Sequence, residues 1–468
     1  ADVADADTDG AVAFSIAFSD SAGNAGTAVT ATTDSSAVTV DNTHPTLNIA
    51  MSTSGNSGYA KSGDTITLTI TATEVVTGLA CTIDGENANM GGSGTAWTAA
   101  LTISGDETEQ NTVFSCASHV DAAGNAGATD TDANSGAVTV DYTAPTSTSA
   151  VIATSGSGNA NDGDVVTLTL DPSEAVGQPT CTWTDGSGAM ADTSVTYGTT
   201  GSDSHTAAVT VDNADQDGAV GFSCTYSDLA GNAIATAITS ATSGAVTIDN
   251  THPTLTAVGI AVDNAGNANN GDDITLTLTA SEAVGTPTCT FTSGGAAMAD
   301  SSITVSNTAG NTWTCVADVA DADTDGAVAF SIAFTDSAGN AGTAVSAVTD
   351  SSAVTVDNTH PTIQSVSAAW GTHLNAVEDN SAGTVTVTTS GAENGQTVSI
   401  VINGVTDTCS LTSNTCDVTV AASDLQALSS GTTYAIAADV SDAAGNAATQ
   451  NTGTTFIYDN VAPAISSI

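Results

Sequence analysis

The stretch Asp41-Asn42-Thr43-His44-Pro45-Thr46, preceded by the alternating run Ala37-Val38-Thr39-Val40, recurs along the whole chain. Related copies reach Pro145, Pro253, Pro361 and Pro463, so successive prolines lie 100 to 108 residues apart. Alternating apolar and polar residues are typical of a strand, and proline stiffens the chain where it occurs. A fixed period of this length indicates tandem domains, each ending in a strand and joined to the next by a short Asp/Pro linker.

The period predicts four complete domains between two partial ones. We place them at 1–45 (the C-terminal part of a domain), 46–145, 146–253, 254–361, 362–463 and 464–468 (the start of a further domain). Residues 1–46 repeat residues 317–362 with three differences, at positions 19, 30 and 32. The predicted strand Ala11–Phe18 has no covering strands in residues 1–45, so we expect Phe14, Ile16 and Phe18 to be exposed. For the same reason we expect the native chain to continue in both directions.

Strand patterns fill each complete domain. Runs such as Ile66-Thr67-Leu68-Thr69-Ile70 place aliphatic side chains on one face and threonines on the other. Each domain then shows a Glu-containing turn, a strand with a Cys, an acidic loop, an aromatic strand and the turn Asp-x-Ala-Gly-Asn. About seven short strands per domain without a helical period predict an all-β fold, a tandem array of immunoglobulin-like antiparallel β-sandwiches.

Charge restricts the partners of the chain. Its 468 residues include one Lys, Lys61, no Arg and 51 acidic residues, for a net charge of −50. Such a chain cannot neutralise phosphates, which excludes nucleic acid and anionic membrane surfaces as partners. Apolar runs of 18 or more residues, the length needed to span a bilayer, are also missing from the sequence. Divalent cations are the expected partner; an acidic surface adapted to high salt is the alternative explanation of the charge.

Eight cysteines fall two to each complete domain, which predicts the disulfides Cys81–Cys116, Cys181–Cys224, Cys289–Cys315 and Cys409–Cys416. Disulfides indicate an oxidising, extracellular compartment, and free buried thiols are the alternative. Cys181 and Cys224 should join the third strand to the sixth, and Cys289 and Cys315 the third to the fifth. Cys409 and Cys416 should bracket a short hairpin.

Four motifs together carry a resemblance. The linker Val-Asp-Asn-Thr-x-Pro-Thr, the turn Asp-x-Ala-Gly-Asn, the strand Gly-Asp-x-Ile-Thr-Leu-Thr and the run Glu393-Asn394-Gly395-Gln396-Thr397-Val398 resemble the bacterial immunoglobulin-like repeats of giant secreted adhesins and related surface proteins. The resemblance covers essentially the whole chain. It implies domains that form rigid stalks, with calcium at the joints between them.

Acidic residues concentrate where an immunoglobulin-like sandwich would place its two poles. At one pole the loops after the second and sixth strands meet the incoming linker, and at the other lie the loops after the first and fifth strands. The linker residues are Asp41, Asp141, Asp249 and Asp357; the second-strand and sixth-strand loops supply Glu74, Glu174, Glu282, Glu393, Asp121, Asp228, Asp336 and Asp442. The opposite pole supplies Asp64, Asp164 and Asp272 after the first strand, and Asp5, Asp7, Asp9, Asp106, Glu107, Asp215, Asp217, Asp321, Asp323 and Asp325 after the fifth.

These carboxylates predict calcium as the bound ion, because calcium takes six to eight oxygen ligands. The simpler interpretation of Asp-x-Ala-Gly-Asn is a plain turn, in which Asp caps backbone amides and Gly and Asn adopt positive φ. That interpretation does not account for several acidic loops meeting at one joint. An EF-hand is excluded because the acidic loops lack the following helix and the twelfth-position Glu.

The remaining candidate groups favour a structural role. His44, His252 and His360 precede linker prolines and are interpreted as packing or spacer residues, since calcium is a poor partner for imidazole. The tryptophans are interpreted as core or interface anchors. No arrangement of nucleophile and base suggests an enzyme.

The sequence therefore predicts a non-enzymatic, extracellular, cell-surface structural protein. Its domains, joined by calcium and continued by further copies of the same domain, would form a stalk, adhesin shaft or fibre. A surface-layer lattice subunit whose acidic surface concentrates cations, and an array of carbohydrate-binding modules, are the two alternatives. Calcium addition would cause lateral assembly only of the lattice subunit, and a glycan array would identify the modules.

Overall fold

The computed structural model describes residues 1–156, 158–201, 203–264, 266–299 and 302–464. Nearly all regular structure in these ranges is β-strand, as predicted; the helices described are one short 3₁₀ helix and one short α-helix. Neither is long or apolar enough to cross a membrane. The chain divides into two units, residues 1–155 with 162–249 and residues 156–161 with 250–468. The predicted domain boundaries remain a prediction.

Residues 1–45 open the first unit with little regular structure. Strand β1 (Gly10–Ala11) pairs antiparallel with β2 (Thr39–Val40), and Ile16 forms an isolated bridge with Val29. The predicted strand over residues 11–18 is therefore wrong beyond Ala11. The nearly identical segment Gly326–Ala333 does form a strand, because it pairs with Thr288–Ser293; residues 1–45 contain no such partner.

The next part of the first unit contains β3 to β10. These are β3 (Leu47–Thr53), β4 (Tyr59–Ala60), β5 (Thr65–Val76), β6 (Ala80–Ile83), β7 (Glu86–Asn87), β8 (Asn89–Thr102), β9 (Phe114–Ala117) and β10 (Thr139–Val140). One sheet has the order β3-β5-β8, the other has the order β7-β6-β9, and β10 pairs parallel with β4. Ile66, Leu68 and Ile70 alternate along β5 and are buried in a core shared by both sheets.

A second sandwich in the first unit contains β11 to β18. These are β11 (Ser147–Thr154), β12 (Val165–Pro172), β13 (Thr180–Thr184), β14 (Thr196–Thr199), β15 (His205–Thr210), β16 (Gly218–Ala219), β17 (Gly221–Thr225) and β18 (Thr247–Ile248). One sheet has the order β11-β12-β15-β14; opposite it β13 pairs with β17, and β16 pairs with β18. Trp183 is 5% exposed and lies in the core, as expected for a core anchor.

The second unit begins with a sandwich of β19 to β26. These are β19 (Leu255–Val262), β20 (Asp273–Ala280), β21 (Thr288–Ser293), β22 (Ala296–Ala297), β23 (Thr304–Ala309), β24 (Thr312–Asp318), β25 (Gly326–Ala333) and β26 (Thr355–Val356). The sheet orders β19-β20-β24-β23 and β22-β21-β25-β26 place the first, second, fifth and fourth strands together, opposite the third, sixth and seventh. That arrangement is the immunoglobulin-like topology that the sequence predicts.

The last sandwich has the two helices and β27 to β34. The elements are β27 (Thr362–Ala368), β28 (His373–Asn375), the 3₁₀ helix Glu378–Asn380, β29 (Gly383–Ser390), β30 (Thr397–Ile402), β31 (Val405–Ser410), β32 (Thr415–Val420), α1 (Ala422–Gln426), β33 (Thr432–Val440) and β34 (Asn451–Asp459). Its sheets have the orders β27-β29-β32 and β28-β34-β33-β30-β31.

Four disulfides join the pairs expected from the sequence: Cys81–Cys116, Cys181–Cys224, Cys289–Cys315 and Cys409–Cys416. Cys181 and Cys224 face each other on paired strands of one sheet, whereas Cys289 and Cys315 link β21 to β24 across the two sheets. The short hairpin predicted between Cys409 and Cys416 is confirmed, because Thr412 and Thr415 pair antiparallel around the two-residue turn Ser413-Asn414. β31 and β32 belong to opposite sheets, so this disulfide also crosses the sandwich.

Candidate metal centres at the domain joints

The Asp-x-Ala-Gly-Asn turn follows the sixth strand and organises the joint. The Asp121 carboxylate accepts the backbone N–H of Gly124 at 2.6 Å and that of Asn125 at 2.8 Å. Gly124 has a φ of 101°, a conformation that glycine adopts without a steric cost. The plain-turn alternative also placed the turn Asn at positive φ, but Asn125 is not among the described residues with positive φ.

The turn Asn instead fastens the linker to the turn. Asn125 Nδ2 donates to Asp121 Oδ2 and to the Asp41 carbonyl oxygen, both at 2.8 Å. Asn232 makes the same pair of contacts in the next joint, to Asp228 Oδ2 at 2.8 Å and to the Asp141 carbonyl at 3.0 Å. This role was not predicted from the sequence. The signal was the return of Asn, rather than a second Gly, at the fifth turn position of every copy.

Two groups of three carboxylates form in the first unit. Asp41, Glu74 and Asp121 make one group, and Asp141, Glu174 and Asp228 make the other; in each, one oxygen from every residue lies within 4.8 Å of the others. Each group combines a linker Asp, a Glu near the end of the second strand and the turn Asp. Glu74 lies within β5 rather than in the predicted turn, because β5 continues to Val76 and pairs there with Gly94.

Burial and mutual repulsion raise the proton affinity of the glutamate in each group. The pKa of Glu174 is raised by desolvation first and then by the charges of Asp141 and Asp228. Desolvation followed by the charges of Asp41 and Asp121 raises the pKa of Glu74 in the same way. The turn aspartates are nearly buried, with 5% of Asp121 and 4% of Asp228 exposed. Each group therefore concentrates negative charge that the protein alone does not neutralise.

In the second unit, the last joint differs. Asn446 Nδ2 again donates to the linker, at 2.7 Å from the Asp357 carbonyl oxygen, and to Asp442 Oδ2 at 3.0 Å. Glu393, however, accepts the backbone N–H of Ala443 at 2.8 Å. Among the residues that the structure describes, Asp357, Glu393 and Asp442 do not form a three-carboxylate group of this kind.

The other predicted residues of the first pole lie in equivalent loops. Asp336 Oδ1 accepts N–H groups of Ala338, Gly339 and Asn340 at 2.8 to 2.9 Å, so its turn is built like that of Asp121. Glu282 follows β20 in the second unit, and Asp249 follows β18 in the first.

A second set of acidic residues binds the linker from the domain that precedes it. Glu109 accepts the N–H of Tyr142 at 2.8 Å and the hydroxyl of Thr143 at 2.9 Å. Asp9 accepts the equivalent groups of Asn42 and Thr43, and Asp325 those of Asn358 and Thr359. The hydrogen bonds with Thr143 and Tyr142 lower the pKa of Glu109. Asp9 and Asp325 were predicted from the sequence as metal ligands, whereas Glu109 was not predicted.

Most remaining candidates brace their own loops. Asp215 Oδ1 accepts the N–H of Ala191 at 2.6 Å, and Asp323 accepts that of Ala299 at 2.6 Å. Similar local contacts engage Asp7, Asp64, Asp106, Glu107, Asp164 and Asp272. The three-carboxylate groups include none of these, nor Asp5, Asp9, Asp217, Asp321 or Asp325.

Comparisons with known proteins found similarity only among solved structures. Neither a family model nor a curated protein matches the chain. A calcium-stabilized adhesin that helps an Antarctic bacterium reach out and bind ice is 22% identical, with a TM-score of 0.37 over 88% of this chain and 99% of that one. A tetra-tandem repeat from the extending region of a large adhesion protein is 18% identical, with a TM-score of 0.29 over 88% and 100%. A three-domain immunoglobulin fragment of titin is 8% identical, with a TM-score of 0.27 over 67% and 98%.

Proposed function

We propose that this chain is a non-enzymatic, extracellular structural protein, an immunoglobulin-like repeat array that calcium makes rigid at its joints. It would serve as a surface stalk, adhesin shaft or fibre. The observation that carries the proposal is the pair of three-carboxylate groups, each assembled from a linker, a second-strand Glu and a turn Asp. The four disulfides support an oxidising, extracellular location.

The donor chemistry of these groups suits a hard divalent cation. Every side-chain donor is a carboxylate oxygen, and neither group contains His or Cys, the ligands that zinc and copper prefer. Calcium takes six to eight oxygens, so three carboxylates would supply part of its shell and backbone carbonyls or water the rest. A bound cation would also remove the repulsion that raises the pKa of Glu174 and Glu74.

Stiffening follows from where the linker is held. Glu109 binds the backbone of Tyr142 and the side chain of Thr143, which ties the linker to the preceding domain. Asp141 of the same linker lies with Glu174 and Asp228 of the following domain. An ion shared by those three carboxylates would strengthen the tie to the following domain that the Asn232 hydrogen bond already makes. The linker would then be held at both ends and lose its freedom to bend.

Calorimetric titration of the full chain with calcium tests the proposal. We expect Glu74→Gln and Glu174→Gln each to remove or weaken one binding event, since each removes one carboxylate from one group. Glu393→Gln is the matched control, because Glu393 binds a backbone N–H and belongs to neither group. Equal calcium binding by the parent and the double variant Glu74→Gln/Glu174→Gln would overturn the assignment.

Light scattering in the same calcium titration separates the stalk from a lattice subunit. A stalk stays monomeric as calcium is added, whereas a lattice subunit assembles side by side. Assembly that grows with calcium and needs no other component would favour the lattice.

A further inference from the structure

Two joints, one in each unit, also contain a direct protein contact that involves none of the grouped carboxylates. In the first unit, Lys61 Nζ donates to the carbonyl oxygen of Gly231 at 2.6 Å, and Asn56 Nδ2 donates to that of Leu229 at 3.0 Å. Lys61 and Asn56 lie in the loop after the first strand of one sandwich. Leu229 and Gly231 belong to the Asp-x-Ala-Gly-Asn turn of the next.

The second unit repeats this contact with a different side chain. Asn269, in the equivalent loop, donates from Nδ2 to Asn446 Oδ1 at 3.3 Å. The backbones approach closely there, since a Cβ on Gly266 would lie 2.7 Å from the carbonyl oxygen of Ala443. Lys61 and Asn269 both stand two residues before the Gly of the repeated Gly-Asp pair, at Gly63 and Gly271. One loop position thus supplies the donor in both units.

Two predicted metal ligands have a local role at this position. The Asp64 carboxylate accepts the backbone N–H of Lys61 at 3.0 Å, and the Asp272 carboxylate accepts that of Asn269 at 2.8 Å. Each Asp therefore holds the backbone of the donor residue in place. These contacts explain an Asp at both positions without a cation.

The lysine occupies a joint whose linker lacks its own donor. His44, His252 and His360 each bring Nδ1 within hydrogen-bonding distance of a carbonyl oxygen, of Ala126 at 2.7 Å, Ala341 at 2.9 Å and Ala447 at 2.9 Å. These carbonyls belong to the residue after the turn Asn, whereas the second linker has Ala144, and the last Ala462, in place of the His. The only Lys of the chain thus lies at a joint whose linker has no imidazole. The histidines are hydrogen-bonded to the following sandwich, which is more specific than the spacer role that the sequence suggests.

We propose that the loop after the first strand clasps the Asp-x-Ala-Gly-Asn turn of the next domain through this one donor position, filled by Lys61 in one joint and Asn269 in another. The clasp holds the turn with or without a cation. Lys61 is a positioning residue: its ammonium group reaches a neutral carbonyl, and the hydrogen bond, not an ion pair, is what it contributes. This inference goes beyond the calcium proposal and does not depend on it.

Hydrogen exchange measured by mass spectrometry on the full chain tests the clasp. Peptides covering 55–64 and 226–234 report this joint, and those covering 264–272 and 440–448 report the other. In chelator we expect Lys61→Ala to speed exchange about fivefold in peptides 55–64 and 226–234 only. This is the effect of losing one hydrogen bond worth about 1 kcal/mol. Lys61→Asn, which installs the residue found at 269, should restore most of the protection.

Ser57→Ala is the matched control, since Ser57 is exposed in the same loop; it should leave exchange unchanged. Unchanged exchange in Lys61→Ala, at 55–64 and 226–234 alike, would overturn the clasp. If the parent exchanges equally in calcium and in chelator while Lys61→Ala is still faster, calcium stiffening fails and the clasp stands.

Discussion

At the scale of single residues, Glu174 has opposite effects with and without a cation. It lies with Asp141 and Asp228, and desolvation and their charges raise its pKa. Without a cation its charge opposes folding of the joint, whereas with one it becomes a ligand. The same side chain is therefore unfavourable in chelator and favourable in calcium.

We therefore predict a change of sign for Glu174→Gln. In chelator the variant should protect peptides covering 141–146 and 226–234 better than the parent, because one like charge is gone. The affinity of this site for calcium should fall in the variant. The loss should be at least the roughly 10–100-fold that is typical when a hydrogen-bond partner of a metal ligand is removed. Glu393→Gln should give no protection in chelator, because Glu393 lies in no three-carboxylate group and the amide oxygen of Gln can still accept the Ala443 N–H. Destabilisation by Glu174→Gln in chelator would contradict the charge argument.

The pH dependence in chelator has a defined direction. Desolvation and neighbouring carboxylates raise the pKa of Glu74, Asp141 and Glu174, so the folded joint binds protons more tightly than the unfolded chain. The stability that these carboxyls add to the folded joint is fully present below the ordinary carboxyl pKa of about 4. It is lost as the pH rises through their raised pKa values. Exchange at peptides covering 141–146, corrected for intrinsic rates, should therefore slow as pH falls from about 6 to about 4. No change over that range would contradict the prediction.

Asp185 gives the opposite direction in the same experiment. Backbone N–H groups of Gln216, Ser187 and Gly188 lower its pKa to about 2. Its contribution is present above the ordinary Asp value and is lost as pH falls toward the lowered one. The loop covering 185–191 should therefore open in acid. This difference between two regions of the first unit distinguishes local effects from general charge repulsion.

At the scale of elements, packing of a connecting segment against a strand depends on one glycine. Gly244 has a φ of +84°, and a Cβ there would lie 2.0 Å from the carbonyl oxygen of Ile152 in β11. Gly163 has a similar φ of +87° but would meet no atom within 4 Å. The two positions separate backbone conformation from steric contact.

We predict that Gly244→Ala destabilises its sandwich by about 1–3 kcal/mol more than Gly163→Ala, since a backbone carbonyl cannot move aside as a side chain can. Gly163→Ala carries only the conformational cost of a positive φ, roughly 1–2 kcal/mol. Hydrogen exchange of peptides from β11 and β12 measures the difference within this domain, which bulk unfolding of a multidomain chain would not resolve. Equal effects would mean that the segment near Gly244 shifts freely.

The contribution of each disulfide to stability should depend on the length of chain that it closes into a loop. The Cys181–Cys224, Cys289–Cys315 and Cys409–Cys416 pairs are separated by 43, 26 and 7 residues. Loop-closure entropy then gives contributions of about 4, 3.5 and 2.4 kcal/mol, so paired Cys→Ser substitutions should destabilise their domains in that order. Domain-resolved exchange under partial denaturation measures it. A reversed order would show that folded-state packing, not loop length, dominates.

At the scale of the whole molecule, charge repulsion and specific binding can be separated by the ion used. With a net charge of −50, the acidic side chains repel one another in any buffer. At about 0.1 M salt, the repulsion between exposed charges more than about 10 Å apart is largely screened. Small-angle scattering should show that calcium narrows the distribution of distances within the molecule more than sodium chloride of equal ionic strength does. Glu74→Gln/Glu174→Gln should respond to both salts alike. If the parent also responds alike, the acidic residues act as a salt-adapted surface rather than as calcium sites.

Much of this architecture is readable without coordinates. The period of the linker motif, the alternation of Ile66, Leu68 and Ile70, and the pairing of cysteines depend on local pattern, and the structure confirms the all-β fold and the immunoglobulin-like strand order. Loop order then places Glu174 and Asp228 at one pole with the linker, where the structure brings them together with Asp141. The roles of Asn125, Glu109 and Lys61 could not be predicted, because they depend on which backbone groups face them across a joint.

The duplicated segment shows most directly where local sequence stops deciding. Residues 1–46 and 317–362 differ at three positions, yet Ile16 is 57% exposed and the equivalent Ile332 is fully buried. Phe14 and Phe18 are exposed as predicted, at 37% and 53%, whereas Phe330 and Phe334 lie in a core. The sequence alone determined the strand-forming pattern, the linkers, the charge and the cysteine pairs. Only tertiary structure decided whether that pattern became a strand, because a strand needs a neighbour for its backbone hydrogen bonds and an opposing sheet for its apolar face.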